Sequence, residues 1–308
     1  QMKRPYYNSP GLPISWDEED YISGKNEIVW VENRLNAPLE VKKAFQFLHS
    51  TDPRTKRDGE GYIPSDQLFV FSPDSQKIFF KKAKRFTRSE MMVMDMLSTN
   101  DWKRPIYFAV TIGNDYHLGL DPYLELTGMA YRITPERSKD GRPRVNTEVM
   151  YDNMLNKFKY GNMHVPGIYI DENTMRMCRT HRMMFLELIE ALFNEGQYDK
   201  SLEVLDFAEK MLPGYNIPYD YTSATMATYY YKLGEIEKAN AIMSNVADNC
   251  AEYLAWGASL DKEHRSASQS TLGHYMAVMG YVLQNLERYQ QKELFNQYYD
   301  LYAQYAMR

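Results

Sequence analysis

Residues 188–213 read LIEALFNEGQYDKSLEVLDFAEKMLP, and this stretch decides how the C-terminal half of the chain folds. Gly196 marks a turn inside it. Small, aromatic and helix-stopping residues lie at fixed distances from that turn, with Leu188 and Ala191 before it and Tyr198, Ala208 and Pro213 after it. Such spacing is typical of two helices joined by a tight turn, in a unit of about 34 residues. From about residue 174 onward we therefore expect helical hairpins.

The hairpin pattern resembles the tetratricopeptide repeat and recurs along the chain. A second copy, YYYKLGEIEKANAIMSNVA (229–247), aligns Gly234 with Gly196, 38 residues later, because GYNIPYD (214–220) lengthens the linker. A third pair within 274–302 keeps a turn near Leu286–Tyr289 but lacks the glycine. Because one helix pair cannot bury its apolar stripe alone, neighbouring pairs are expected to stack and to form a concave face. Residues 174–308 are thus predicted to form an all-α array of about three helix pairs.

The N-terminal half has a different texture, so the predicted fold class is α+β. Residues 1–66 are rich in turn signals and are expected to pack on the rest of the chain, with EIVWV (27–31) as a strand and 38–50 as an amphipathic helix. Residues 67–160 are predicted to form a small mixed α/β unit. Its strand candidates are QLFVFS (67–72), KIFF (77–80), PIYFAVT (105–111) and GMAYRIT (128–134). Its main helix is SEMMVMDMLSTN (89–100), which Thr87 or Ser89 can cap.

Composition excludes several functional classes. The chain has 308 residues, 44% of them hydrophobic, and a net charge of −5, which gives no overall basic field for nucleic acid. No apolar stretch approaches the length of a membrane span. The first residue is Gln1, so the sequence is interpreted as part of a longer protein. Cys178 and Cys250 could pair in an oxidising compartment, although free buried thiols are the favoured interpretation.

Three local motifs offer chemistry, and each has a simpler structural explanation. In NDYHLGLDPY (114–123), acidic residues flank His117 and could transfer protons or bind a metal, but a polar loop is favoured. CRTH (178–181) could supply two metal ligands without the two further ligands that a closed site needs. DEED (17–20) fits a solvated acidic turn better than a calcium loop. Nucleotide-binding and hydrolase signatures are missing, which counts against an autonomous enzyme. We predict no metal and no cofactor, and the sequence assigns no catalytic residue.

One dense basic run occurs, KKAKRFTRS (81–89). Such a run usually protects an edge strand or begins a solvated helix. Its cations could also contact anionic lipid headgroups if the domain lies close to a bilayer. The residues in question are Lys81, Lys82, Lys84 and Arg85.

Three segments together resemble one known family. They are QMKRPYYNSPGLPIS (1–15), NDWKRPIYFAVT (100–111) and YHLGLDPYLELTGMAYRITP (116–135), followed by the helical hairpins. The chain is similar to the C-terminal part of bacterial membrane proteins that carry the domain of unknown function 2723. Their membrane half looks like a GT-C glycosyltransferase related to protein O-mannosyltransferases. The resemblance implies an extracytoplasmic domain whose parent protein transfers sugar, and it carries no catalytic residue over to this chain.

Two functional hypotheses follow from the sequence. The first is a non-catalytic accessory domain of a membrane-bound glycosyltransferase-like protein, in which the helical array holds an acceptor polypeptide or a partner protein. Its candidate contact residues, each of which could instead belong to the core, are Tyr219, Tyr221, Tyr229, Tyr230 and Tyr275. The second is binding of sugar or a lipid-linked donor by residues 67–135, since sugars stack on aromatic rings and bond to charged groups. Its candidates are Trp102, Arg104, Asp115 and His117.

Overall fold

The computed structural model describes residues 28–306, and the chain separates into two compact units between Asn146 and Thr147. The acidic turn at 17–20, the segment 1–15 and the first residue of the 27–31 strand therefore lie outside the described residues. The first unit mixes strands with helices and the second is helical. The α+β class predicted from the sequence, a mixed N-terminal region followed by a helical array, is confirmed.

From residue 28 onward, the first unit contains short strands, two α-helices and three short 3-10 helices (Pro53–Thr55, Asn114–His117 and Asp121–Tyr123). The strands are β1 (Ile28–Trp30), β2 (Leu39–Glu40), β3 (Lys56–Arg57), β4 (Glu60–Gly61), β5 (Leu68–Phe71), β6 (Lys77–Phe79), β7 (Arg85–Thr87), β8 (Tyr107–Ala109), β9 (Leu124–Leu126), β10 (Ala130–Ile133) and β11 (Arg144–Val145). The helices are α1 (Val41–His49) and α2 (Arg88–Asn100). The described strands form sheets in the orders β1-β7, β11-β9-β10-β8, β2-β5-β6 and β3-β4.

One apolar core holds these small sheets and helices together. Phe45 on α1, Phe86 on β7 and Met91 and Met94 on α2 are fully buried in it. α2 begins at a capping box, in which the Thr87 hydroxyl accepts from the Glu90 amide and the Glu90 carboxylate accepts from the Thr87 amide. A capping box satisfies two amide groups that a helix start otherwise leaves without partners. The cap therefore fixes the direction in which α2 leaves β7.

Strand β9 is absent from the strands that the sequence predicts. All three of its residues are buried, including Glu125. Arg144 Nε donates to one Glu125 oxygen at 3.1 Å, and Asn146 Nδ2 donates to the other at 2.9 Å. A carboxylate can be buried when its oxygens are paired in this way. Because the partners lie about twenty positions downstream, the local sequence looks like a polar loop.

The second unit is built from helical hairpins. It begins with α3 (Thr147–Tyr151), which continues into a π-helical turn (Asp152–Lys157). The later helices are α4 (Glu172–Asn194), α5 (Tyr198–Met211), α6 (Tyr221–Lys232), α7 (Ile236–Ser259), α8 (Lys262–Ala267), α9 (Gln269–Arg288) and α10 (Lys292–Ala306). α4 packs on α5, α6 on α7, and α9 on α10, while α4 also contacts α6 and α7 contacts α9. None of the helices in residues 28–306 is both long and apolar enough to cross a membrane.

The first two hairpins turn at the glycines that the sequence pattern singled out. Gly196 has φ +75° and Gly234 has φ +85°, in the left-handed region that glycine adopts at little cost. In the third hairpin this role falls to Gln290, with φ 60°. The third turn thus keeps the backbone geometry without the residue type that favours it.

Buried Arg182 holds the long linker between α5 and α6. The side chain is 1% exposed and lies on α4. Its guanidinium donates to the carbonyl oxygens of Leu212 at 3.0 Å, Ile217 at 2.8 Å and Pro218 at 3.0 Å. A planar fork of donors can satisfy several carbonyls of an irregular segment at once. Arg182 therefore fixes the extra residues that separate the first two hairpins.

Candidate functional site

A cleft of about 430 Å³ in the second unit brings together three of the five tyrosines predicted as contact residues. Tyr219 reaches it from the linker before α6, Tyr221 from the first position of α6, and Tyr275 from α9. We call this site the tyrosine cleft and define it by Arg179, Tyr219, Tyr221, Tyr253, His274 and Tyr275. Its volume is in the range of clefts that hold a small ligand or a few side chains of a partner.

Aromatic stacking shapes one wall of the tyrosine cleft. The rings of Tyr253 and Tyr275 are nearly parallel, with 3.9 Å between centroids and 10° between planes. Burial and a hydrogen bond with Tyr253 raise the pKa of Tyr275, so its hydroxyl stays protonated at neutral pH. Tyr221 is 48% exposed and its ring lies 4.7 Å from that of Tyr281. The wall therefore offers apolar ring surface together with neutral hydroxyl groups.

Tyr219 is held rigidly at the base of the cleft. Its hydroxyl donates to the carboxylate of Glu209, and the Arg182 guanidinium lies 5.3 Å from its ring centroid. Asn249 Nδ2 donates to the Tyr219 carbonyl oxygen at 3.3 Å. A Cβ added to Gly214 would lie 2.6 Å from the Tyr219 ring, so only glycine lets the linker pass beside it. Tyr219 serves as a fixed wall of the cleft.

The charges of the cleft are not balanced within it. Arg179 is exposed, and no hydrogen bond or ion pair joins it to another residue in the part of the chain that the structure describes. Asp220 also lines the cleft, but its carboxylate accepts from the Ser223 amide at 3.1 Å and lies 4.0 Å from Arg182. Asp220 is therefore engaged as the cap of α6, and Arg179 retains a cation available to a ligand.

The remaining two predicted tyrosines lie elsewhere. Tyr230 is buried, and its hydroxyl donates to Asp206 at 2.8 Å. Tyr229 is buried beneath Lys232, whose Nζ lies 3.9 Å from the ring centroid, and its hydroxyl bonds to Glu190. Burial raises the pKa of Tyr229 to about 12, and Glu190 adds to that effect. Neither residue lines the tyrosine cleft, so only part of the predicted set is brought together.

The four candidates for sugar binding have local contacts in the first unit. Trp102 Nε1 donates to the Phe71 carbonyl at 2.8 Å, and the Asp115 carbonyl accepts from Lys81 Nζ at 2.7 Å. Arg104 is exposed, and its carbonyl accepts from Asn100 at 2.7 Å. Each of these hydrogen bonds ends on a backbone carbonyl oxygen of the first unit. Sugar binding by this set stays a prediction.

His117, the fourth of them, is 1% exposed. Its Nδ1 lies 2.8 Å from Asp121 Oδ1, and its ring stacks on Phe108 with 5.3 Å between centroids. Its Nε2 is buried without a partner among the described residues. The buried histidine is thus paired with a partly exposed aspartate four positions later.

Neither cysteine joins a metal cluster within residues 28–306. Cys178 and Cys250 are both buried free thiols. Cys178 Sγ lies 3.8 Å from Met163 Sδ, and His181 packs edge-on against Tyr160. In the described part of the chain no group of three or more His, Cys, Asp and Glu residues is placed to hold a metal ion.

Two cations of the basic run, Lys81 and Lys82, lie near carboxylates. Lys81 pairs with Glu90 at 2.9 Å, and Lys82 lies 3.9 Å from Asp66. Lys84 and Arg85 are exposed. Contact of this run with anionic lipid stays a prediction, with Lys84 and Arg85 as its more accessible members.

Sequence reasoning missed half of the residues that define the cleft. Arg179, Tyr253 and His274 come from α4, α7 and α9, three helices far apart in the sequence. The high tyrosine content of the helical region is a signal for Tyr253 alone. The spacing along one helix does not say which neighbouring helix a face meets, so it does not place Arg179 or His274 in the cleft.

Comparison with known families gives one result, and it concerns the N-terminal half. The family model described as TMEM260-associated domain 2 matches the chain twice, at residues 1–79 and at residues 72–154. Together the two matches span residues 1–154, which is half of the 308 residues. No curated protein and no solved structure matches the chain.

Proposed function

This chain belongs to the TMEM260-associated domain 2 family, and from that premise we propose that it is a non-catalytic interaction domain of a larger membrane protein. The helical array would hold a segment of an acceptor polypeptide or partner protein in the tyrosine cleft. The family description associates the domain with a membrane-protein family. The resemblance of three N-terminal segments and the helical hairpins to glycosyltransferase-like membrane proteins supports a parent protein that transfers sugar on the extracytoplasmic side.

The tyrosine cleft is the observation that carries this proposal. It joins exposed ring surface at Tyr221, a stacked tyrosine pair and the cation of Arg179, which has no ion-pair partner among residues 28–306, within about 430 Å³. Tyrosine and arginine are enriched among the residues that contribute most to protein–protein binding, since each offers contact area together with polar groups. The helices hold these groups in place before binding, which reduces the entropy that binding costs.

Site-specific photo-crosslinking in cells tests the proposal. A photo-reactive amino acid is placed at Tyr221 in the full-length parent protein, and adducts are identified by mass spectrometry. We expect a recurring polypeptide adduct at Tyr221. The matched control is the same amino acid at Tyr169, which is 91% exposed and does not line the cleft.

Two outcomes would count against the interaction domain. One is that Tyr221 and Tyr169 give the same adducts, which would indicate random collision. The other is that adducts at Tyr221 contain lipid or carbohydrate and no peptide, which would favour donor binding instead.

A further inference from the structure

Helix α4 presents a stripe of residues whose charge changes sign along the helix. Arg179, Met183, Glu187 and Glu190 follow one another at spacings of four, four and three residues, which place them on one face. All four are exposed, Met183 to 44%. At about 1.5 Å per residue, the cation lies about 12 to 17 Å from the two carboxylates.

Tyrosines lie at both ends of this stripe. Tyr221 belongs to the tyrosine cleft, which Arg179 also lines, and its ring lies 4.7 Å from that of Tyr281. Tyr229, whose hydroxyl bonds to Glu190, follows Tyr221 on α6 eight residues later. We name the set Arg179, Tyr221, Tyr281, Tyr229, Glu187 and Glu190 the dipolar strip.

Neither end of the dipolar strip is neutralised by an ion pair within residues 28–306. Arg179 has no carboxylate within salt-bridge distance, and Glu187 has no cation. Partial desolvation by neighbouring side chains raises the pKa of Glu187, although the residue as a whole is exposed, and the charge of Glu190 adds to that rise. Lys232 lies over the Tyr229 ring and interacts electrostatically with Glu190, while no cation among the described residues acts on Glu187. Both ends would therefore gain from a partner of opposite charge.

We infer that the dipolar strip binds an extended polypeptide segment in one orientation, with an acidic side chain at Arg179 and a basic side chain at Glu187 and Glu190. This inference rests on the proposed function and adds the chemical character of the partner. An extended chain advances about 3.3 Å per residue, so the acidic and basic residues should lie about four or five positions apart. Apolar or aromatic residues between them would contact Met183 and the tyrosine rings.

Selection from a random library of linear peptides tests the inference on the full chain. We expect wild-type selections to enrich peptides with an acidic and a basic residue at that separation. For a peptide enriched in this way, Arg179→Glu should weaken binding at least about tenfold, and Glu187→Lys should do the same. Reversing the two charges in the peptide should restore binding to the doubly substituted Arg179→Glu, Glu187→Lys chain.

Matched controls exclude effects of net charge and of misfolding. Lys210→Glu and Glu237→Lys make the same charge changes at exposed positions outside the strip and should leave affinity unchanged. Arg179→Gln removes the charge without reversing it, and far-UV circular dichroism confirms that each variant folds.

The possible failures are distinguishable. Enriched peptides that lack the charge order, or that bind Arg179→Glu as well as the wild type, overturn the inference while leaving an interaction domain in place. If no peptide is enriched, the result counts against peptide binding itself and so against the proposed function as well. The same holds if the strip proves only to join two copies of this chain.

Discussion

At the scale of single residues, the third hairpin turns at Gln290, while the first two turn at glycine. Gln290 is exposed with φ 60°, and Gly234 has φ +85° with no atom within 4 Å of an added Cβ. A side chain in this conformation costs about 1 kcal/mol, because Cβ approaches the carbonyl oxygen that follows. The third turn therefore carries backbone strain that the glycine turns do not. At Gly234 a side chain would meet this strain alone, since no neighbouring atom would contact its Cβ.

We expect Gln290→Gly to stabilise the second unit by up to about 1 kcal/mol. Gly234→Ala should destabilise it by about the same amount, for the same reason in reverse. Urea unfolding followed by circular dichroism measures both changes. Equal stability of the wild type and Gln290→Gly would show that the turn carries no such strain.

Arg182 is a second residue whose removal should be costly. Its three bonds to the carbonyls of Leu212, Ile217 and Pro218 are buried, so a substitution leaves these oxygens without donors. We expect Arg182→Met to destabilise the protein by about 3 kcal/mol, and Arg182→Lys by a smaller amount, because one ammonium cannot replace the guanidinium fork. Urea unfolding measures the loss, and a change below about 0.5 kcal/mol would contradict the assignment of Arg182 as the support of the linker.

At the scale of elements, the N-terminus of α2 shows which of two possible capping residues the structure uses. The sequence left Thr87 and Ser89 as alternative caps, and the structure selects Thr87 through its reciprocal bonds with Glu90. We expect Thr87→Ala to lower stability by about 1 kcal/mol, as the loss of an N-cap usually does. Ser89→Ala is the matched control and should change stability by a few tenths of a kcal/mol. The opposite ranking in thermal unfolding would place the cap at Ser89.

Helical hairpins and the strands of the first unit differ in how far the sequence predicts them. Each hairpin pairs neighbours in the sequence, so its helices and its turn glycine are visible in one short window. The sheets join strands across longer separations, as in the parallel pair β11-β9, where Arg144 lies opposite Glu125. Burial of the carboxylate in β9 depends on that pairing, which explains why this strand was missed.

At the scale of the whole molecule, buried ionisable groups make the stability of the second unit depend on pH. Burial raises the pKa of Glu209 above its ordinary 4.5, against the opposing effects of Tyr219 and Arg182. The folded state therefore holds the proton more tightly than the unfolded state does. The stability that this group contributes is complete below about pH 4.5 and is lost as the pH rises through the raised pKa.

We accordingly expect Glu209→Gln, which resembles the protonated side chain, to gain stability over the wild type as the pH rises from about 4 to 8. Near pH 4 the two proteins should be equally stable. The control is Glu237→Gln, an exposed carboxylate on α7, which should follow the wild type at every pH. If the free energy of unfolding of the wild type changed with pH in parallel with that of Glu209→Gln, Glu209 would have the same pKa in the folded and unfolded states.

The sequence by itself determined the features that depend on neighbours along the chain. These are the helical hairpins, the glycine turns at 196 and 234, the alternative caps of α2 and the α+β class, since each follows from residue type and short spacing. Only the tertiary structure decided which helix faces meet. It placed Tyr253 against Tyr275, placed Tyr229 and Tyr230 outside the cleft, and brought the exposed Arg179 into its lining. The physical reason is that helical periodicity fixes which residues share a face, while packing between distant helices fixes what that face contacts.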